Sequence, residues 1–474
     1  MELYKNAKES RVIIISAVNK LVDFLKPAYG PANNKLLLEI NGRVEAVDDG
    51  KTAAEHFELE DIFENKIVKF VRETADRTNR KVGDGTTTSF LLLQSFLNLA
   101  KEGFDQRKLV KEIQEGLEEV RKYLLDTSKP VNTLADLKKI ALTSFNNKKI
   151  ADLIAKAIYE AGKEGIVVTE NSATSEMSYE LVDGIRINKG LVSPYLVTNE
   201  NEAVMSNPLI FVTDKILSSI SDITPIMKQI AEAKKELLFI SAGLEKEAFA
   251  TIVLNKLKGL KLAAINVSNI QQLKDIALSV GANLISENMG RTLASVKLSD
   301  LGTATKVTID SDRTTIIGTG GDKKELAKEI AVVKKELEKS KDEQQTAYLK
   351  TRLAMLESRI TIIKVGAPTE NELSALNYKV EDSVNATQAA FRGGVSVGAG
   401  LSYINAKPKG SLFKEALKAP NKQIIENIGE GDYSDIQDPT EVLIAALESS
   451  VSIACLLLES KGLKVAKPKE TNEQ

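Results

Sequence analysis

The string Gly83-Asp84-Gly85-Thr86-Thr87-Thr88 is the stretch best equipped for chemistry, and the apolar run Ser89-Phe90-Leu91-Leu92-Leu93 follows it at once. Glycines let the backbone approach an anion, and the unpaired N–H groups of a helix start point toward it. Threonine hydroxyls add donors, and Asp84 can hold a divalent cation that bridges phosphates. The pattern is a phosphate-and-magnesium cradle, yet not a P-loop, because no G-x-x-x-x-G-K-[ST] string occurs. Taken alone, a glycine turn with a Thr N-cap explains the same residues equally well.

Three acidic spots accompany it. Asp48-Asp49-Gly50-Lys51-Thr52 reads as an ordinary Asp-Gly turn, and Val380-Glu381-Asp382 falls inside a helical run, 378–391, where an acid normally faces solvent. Asp438-Pro439-Thr440 opens the last long helix as an N-cap with Pro at the first helical position. The glycines from Gly393 to Gly400 look like a dinucleotide fingerprint, but they follow a helix rather than a strand, so the match is weak.

Composition removes several alternatives. A chain of 474 residues predicts roughly three domains. Lys and Arg total 64 against 66 Asp and Glu, so a net of −2 offers no basic face for nucleic acid. No Trp and 5% aromatics argue against a stacking platform for single strands. The lone histidine, His56, excludes most zinc sites and leaves a Ser-His-Asp triad one candidate at most. The lone cysteine, Cys455, cannot close an intramolecular disulfide, which points to a reducing, cytoplasmic setting. The first residues carry no basic n-region with a cleavage site. Val442–Leu458 is apolar but holds Glu448 and three serines over 17 residues, so a buried helix is expected rather than a membrane span.

Elements that position these residues follow from periodicity. A helix is expected over 9–26 with Val12, Ile13, Ala17, Leu21 and Leu25 on one stripe, ended by Pro27 and the turn Tyr29-Gly30-Pro31. Leu36–Ile40 and Val44–Val47 read as a hairpin around Asn41-Gly42. Residues 60–125 are helical except at 82–85, and 130–163 form another helical block. From about 165 the texture alternates between strands (166–169, 209–213, 237–240, 262–265) and helices, as in an α/β layer. Residues 323–358 read as a charged helical hairpin lined by Leu326, Ile330, Val333, Leu337, Tyr348, Leu349, Leu353 and Leu356. The chain is then helical nearly to its end, with a polar stretch at 467–474 expected to fray. Helix-rich ends around an α/β middle predict an inserted domain.

In order and spacing, these motifs resemble one family over nearly the whole chain. They are Tyr29-Gly30-Pro31, Asp49-Gly50-Lys51-Thr52, GDGTTT at 83–88, Lys163-Glu164-Gly165-Ile166, Leu191-Val192-Ser193-Pro194-Tyr195, Ile363–Ala367, Val380–Thr387 and Asp438-Pro439-Thr440. The chain resembles a bacterial-type (group I, GroEL-like) chaperonin, in a divergent and shortened form; the Ser-Pro-Tyr segment and the absence of a long apical insertion favour group I. The resemblance implies an α+β multidomain chaperonin fold. A helical equatorial ATP-binding domain would comprise 1–130 and 393–474. A small intermediate hinge domain would comprise 131–182 and 361–392, and an inserted α/β apical substrate-binding domain 183–360.

The same resemblance implies site roles. Gly30 and Pro31 would lie against nucleotide phosphates, Asp84 would bind Mg²⁺, and Gly85, Thr86, Thr87 and Thr88 would cradle the β- and γ-phosphates. Asp382 would be the carboxylate that orients or deprotonates the attacking water, with Asp49 as its helper. Asp438 would hydrogen-bond the ribose, and Gly398, Ala399 and Gly400 would line the nucleoside pocket. Leu191, Tyr195, Leu196, Phe249, Ile252, Val253, Ile270 and Leu273, with Ile276 beside them, would present apolar surface to unfolded polypeptides. ATP, Mg²⁺ and as a further candidate K⁺ are the implied cofactors. A homo-oligomeric ring, with seven subunits as the family size, and a GroES-like co-chaperonin are the implied partners, with no membrane.

Four departures stand out. Only seven residues separate Glu430 from Asp438, where the family carries a longer segment with inter-ring contacts, which predicts a single ring and looser base recognition. Ala399 replaces the middle glycine of the family's Gly-Gly-Gly. The loop Asn266-Val267-Ser268-Asn269 is shortened, so a lid is not assumed, and no Gly-Met-rich tail occurs. An ATP-hydrolysing folding chaperone is the leading expectation. A ring-forming holdase with little turnover is the main rival. A small-molecule kinase could use the same cradle but gains nothing from paired apolar helices.

Overall fold

The computed structural model describes residues 2–30, 34–40, 42–47, 50–100, 106–145, 147–163, 165–172, 174–199, 202–340, 342–433 and 435–466. The expected fraying at 467–474 lies outside the described residues. The chain divides into two compact units. One comprises Met1–Tyr159, Asn171–Ser178 and Val365–Gln474; the other comprises Glu160–Glu170 and Tyr179–Lys364.

Helices build the first unit. Asn6 starts Ala7–Leu25 by accepting from the Lys8 and Glu9 N–H groups, while Glu9 returns to the Asn6 N–H. The buried stripe of this helix is Ile14, Ala17, Val18, Leu21, Val22 and Leu25. Ala17, Leu21 and Leu25 lie on it as expected, whereas Val12, expected on the same stripe, is exposed and Ile14 is buried in the first turns instead. The long helix Thr440–Glu459 packs against Ile62–Val82, Thr86–Leu99 and Gln106–Thr127. Val442, Leu447, Val451 and Ala454 are buried along it, so its apolar run serves the unit's own core. Asn6–Glu2 pairs antiparallel with Gly462–Ala466, a pairing of chain ends that periodicity did not indicate. Leu36–Ile40 and Arg43–Val47 form the expected hairpin, with Ile40 opposite Arg43.

The second unit is built on sheets. Leu209–Leu217, Leu237–Leu244 and Leu262–Asn266 run parallel, and Gly302–Thr303 adds an antiparallel edge. Near-continuous apolar strands such as Leu237–Leu244 are what a sheet covered on both faces requires. A second sheet has the order Ile166–Asn171, Arg359–Val365, Ser178–Ile187, Thr314–Ile317, Lys306–Ile309, Ala203–Ser206. The charged segment forms the helical hairpin Lys323–Lys339 and Glu343–Leu356, with Val333, Leu349 and Leu356 buried between its arms and Tyr348 exposed. Arg352 anchors the hairpin to helix Ile270–Val280. Its Nε donates to Asp275 Oδ2 at 2.6 Å and its Nη2 to Asp275 Oδ1 at 2.8 Å in a buried pair, and the partly exposed Glu329 accepts from the same guanidinium.

Candidate functional site

Two glycines turn the chain at 83–85 through left-handed backbone, with φ +71° at Gly83 and +89° at Gly85. Gly85 is the N-cap of helix Thr86–Leu99, and no side chain caps it. The Thr N-cap offered by sequence is therefore not formed: Thr86 is the first helical residue. The leading N–H groups of this helix have no intrahelical acceptor, as an anion site needs. Neighbouring elements close in tightly. A Cβ on Gly50 would come within 1.9 Å of Thr87 Oγ1, one on Gly83 within 2.3 Å of the Asn385 side chain, and one on Gly85 within 2.9 Å of Val442 Cγ1.

These approaches enclose a cavity of 230 Å³ between Tyr29–Gly30, Gly50–Lys51, the turn 83–88 and Asp382. Asp382 comes from helix Glu370–Gly393 and is exposed, as is Asp84. The acid that periodicity alone assigned to a solvated face thus shares one cavity with the glycine turn. Lys51, given no role of its own in the sequence motif Asp49-Gly50-Lys51-Thr52, also lines this cavity. Asp49 and Pro31 lie outside the described residues. Among the described residues no group of three or more His, Cys, Asp or Glu side chains could hold a metal unaided. Asp84 alone fits Mg²⁺, which takes most of its ligands from phosphate and water.

A second turn adjoins the first in the same unit. Val395–Val397 pairs antiparallel with Gln437–Pro439, setting Ser396 opposite Asp438. Helix Thr440–Glu459 begins one residue later than expected: Pro439 is its N-cap, and Asp438 caps nothing. The Asp438 carboxylate turns instead to the glycine turn, where a Cβ on Gly398 would come within 2.8 Å of its Oδ1. Burial and the negative charge of Asp84 push the Asp438 carboxyl up to about 6, while the Ala399 N–H donates to it and acts in the opposite direction. Tyr29 Oη and Thr88 Oγ1 are 3.1 Å apart, and burial raises the Tyr29 phenol above its ordinary range.

Helix Ala419–Ile428 ties the segment Lys26–Tyr29 to the turn at 398–400. Asn427 Nδ2 donates to Lys26 O at 2.8 Å and Tyr29 O at 2.7 Å, and Asn421 Nδ2 donates to Ala399 O at 2.9 Å. Sequence reading missed both amides, because nothing in their spacing announces a backbone partner.

In the second unit the structure divides the expected apolar contact residues. Leu196, Ile252 and Leu273 are 0% exposed, as is Ile276. They are core residues, which corrects their assignment to an open face. Ala248 and Ile252 of helix Lys246–Leu257 turn toward the sheet, and Phe249, Val253 and Leu191 pack half-buried on the same core. The open side of these elements carries Tyr195 (73% exposed), Leu254 (56%), Leu257 (77%) and Ile270 (52%). Lys256 Nζ pins the Pro194–Leu196 turn to its helix through Tyr195 O at 2.9 Å.

Comparison with known proteins agrees with this architecture. Residues 21–431 match the model of the TCP-1/cpn60 chaperonin family. The chaperonin gp146 from bacteriophage EL 2 (Pseudomonas aeruginosa), crystallised in the presence of ATP-BeFx, has a similar fold. In crystal form II it shares 18% identity with a TM-score of 0.72, covering 98% of this chain and 100% of the phage protein. Crystal form I gives 18% identity and a TM-score of 0.65, covering 98% and 99%. With 411 contiguous positions from 21 to 431 matched, the chain belongs to the TCP-1/cpn60 chaperonin family.

Proposed function

We propose that this chain is an ATP-hydrolysing chaperonin subunit that forms a ring, captures unfolded polypeptides on apical apolar surface and drives their folding by nucleotide-dependent domain movement. The observation that carries it is Asp382 lining one cavity with the uncapped helix start at Gly85–Thr88. Backbone N–H groups at 86–88, the threonine hydroxyls and Lys51 suit a triphosphate, and Asp438 suits a ribose hydroxyl. Mg²⁺, held by Asp84, would supply charge neutralisation between phosphates. Asp382 then accepts the proton of, or orients, the water that attacks the terminal phosphate. No histidine is needed for this reaction. Asp49 would assist beside it, and Gly30 and Pro31 would border the phosphates.

The three-domain division at 130, 182, 360 and 392 belongs to this proposal, since a carboxylate on a moving element makes hydrolysis wait for closure. So do a single seven-membered ring, a cytoplasmic setting and an optional co-chaperonin. Clients would meet Tyr195, Leu254, Leu257 and Ile270, large apolar side chains left exposed in the second unit. The phage chaperonin's crystallisation with ATP-BeFx supports nucleotide binding in a protein of this fold.

A holdase with little turnover is the second reading, favoured by the left-handed Ala399 where glycine suits the backbone (φ +54°). ATP turnover measured with and without a denatured client, alongside native mass, tests the proposal. Client-stimulated hydrolysis by a ring supports it. Client capture with no hydrolysis above background replaces it with the holdase.

A further inference from the structure

We propose that Asn421 is a positioning residue of the nucleotide site, holding the left-handed Ala399 peptide in the shape that glycine would take unaided. The inference rests on the nucleotide-binding reading above and names how this chain keeps that site despite its alanine. Leu401 N–H donates to Gly398 O at 3.0 Å, closing a four-residue turn from 398 to 401. Its central residues, Ala399 and Gly400, have φ +54° and +71°. That is a type I′ turn, which asks for Asn, Asp or Gly at both central positions. An alanine there carries the steric cost of Cβ in left-handed backbone and has no polar side chain to offset it.

The missing support comes from outside the turn. Asn421 Nδ2 donates to Ala399 O at 2.9 Å, and the Ala399 N–H donates to the Asp438 carboxylate, so the strained residue is held at both backbone groups. Asn421 and Ala399 are both buried, so water does not compete for this bond. Closeness is enforced on the other side: a Cβ on Gly400 would come within 2.7 Å of the Asn421 N. Helix Ala419–Ile428 therefore seats directly on the turn. Removing the amide leaves the Ala399 carbonyl unpaired in a buried place and frees the turn to relax. With glycine at 399 the turn keeps its shape without that bond, so the two positions are coupled.

The test uses the full chain in four forms: wild type, Asn421→Ala, Ala399→Gly and the double variant. ATP affinity by calorimetry, KM and kcat are measured together with hydrogen exchange of the Leu401 amide. Loss of the bond should raise Kd and KM about five- to tenfold in Asn421→Ala with kcat within about twofold, and speed Leu401 exchange about fivefold or more. The double variant should return to within about twofold of wild type. A double variant as impaired as Asn421→Ala overturns the proposal, because the amide would then act elsewhere; so does an unaffected Asn421→Ala. If Asn421→Ala does not fold, Ala399→Gly against the double variant decides, and a fivefold or larger difference between them rejects the coupling. Should wild type bind no ATP, the nucleotide reading fails on its own, while Leu401 exchange in the four forms still accepts or rejects the role of Asn421.

Discussion

Gly83 lies so close to Asn385 that a Cβ placed on it would come within 2.3 Å of the Asn385 side chain. The cradle turn and the helix bearing Asp382 are thereby in direct contact, and the geometry of one depends on the other. Gly83→Ala should therefore suffer twice, from left-handed backbone and from a clash that displaces helix Glu370–Gly393. Gly42 is the control, with φ +77° and nothing within 4 Å of an added Cβ. Gly42→Ala should lose about 1 kcal/mol in denaturant unfolding. Gly83→Ala should lose about 1–3 kcal/mol and at least tenfold in ATP turnover. Equal losses in both assays contradict the contact.

Asp438 makes stability depend on pH in a defined direction. Its folded pKa, about 6, lies above the ordinary 3.8, so folding favours the protonated form. No penalty exists below the unfolded value; it grows as pH rises between the two and is complete above about 6. Asp438→Asn keeps an acceptor for the Ala399 N–H and removes the charge. Its Tm should match wild type near pH 4 and exceed it at pH 7.5. A Tm gap that is constant across this range contradicts the burial of charge at Asp438.

In the second unit, exposure separates the side chains proposed to bind clients from those that pack. Leu257→Glu should leave Tm unchanged and reduce capture of a denatured client at least fivefold, a loss typical of one buried large apolar side chain. Ile252→Ala should instead cost about 2–5 kcal/mol of stability, as truncation in a closed core does. Client capture that survives Leu257→Glu and Tyr195→Glu together would remove this surface from the account.

Arg352 offers a separate check on the helical hairpin. Arg352→Ala strands the Asp275 carboxylate in a buried site and should cost about 3–5 kcal/mol in denaturant unfolding. Replacing both partners, Arg352→Met with Asp275→Leu, should recover most of that loss. A single variant as stable as wild type contradicts the buried pair.

Local signals carried much of this architecture. Helical periodicity and the Asn41-Gly42 turn placed the hairpin and most long helices, since these depend on residues near in sequence. Contacts between distant segments were less visible. The pairing of Glu2–Asn6 with Gly462–Ala466 and the amide bonds from Asn421 and Asn427 depend on tertiary approach, which leaves no periodic trace. The short strands Ala203–Ser206, Lys306–Ile309 and Thr314–Ile317 were missed for the same reason. On helix Lys246–Leu257 apolar residues occur on both faces, and the resemblance pointed to Ile252 where geometry leaves Leu254 and Leu257 exposed. Asp382 shows the reverse: an acid that helical pattern assigned to solvent gained a role only when resemblance set it beside the glycine turn.

The most direct test of the account is hydrolysis of ATP by Asp382→Ala, measured in single turnover beside ATP affinity in the same protein. The account predicts affinity within about threefold of wild type and a hydrolysis rate at least tenfold lower, because a placed general base contributes on the order of a hundredfold or more. An unchanged rate in a variant that still binds ATP would contradict it.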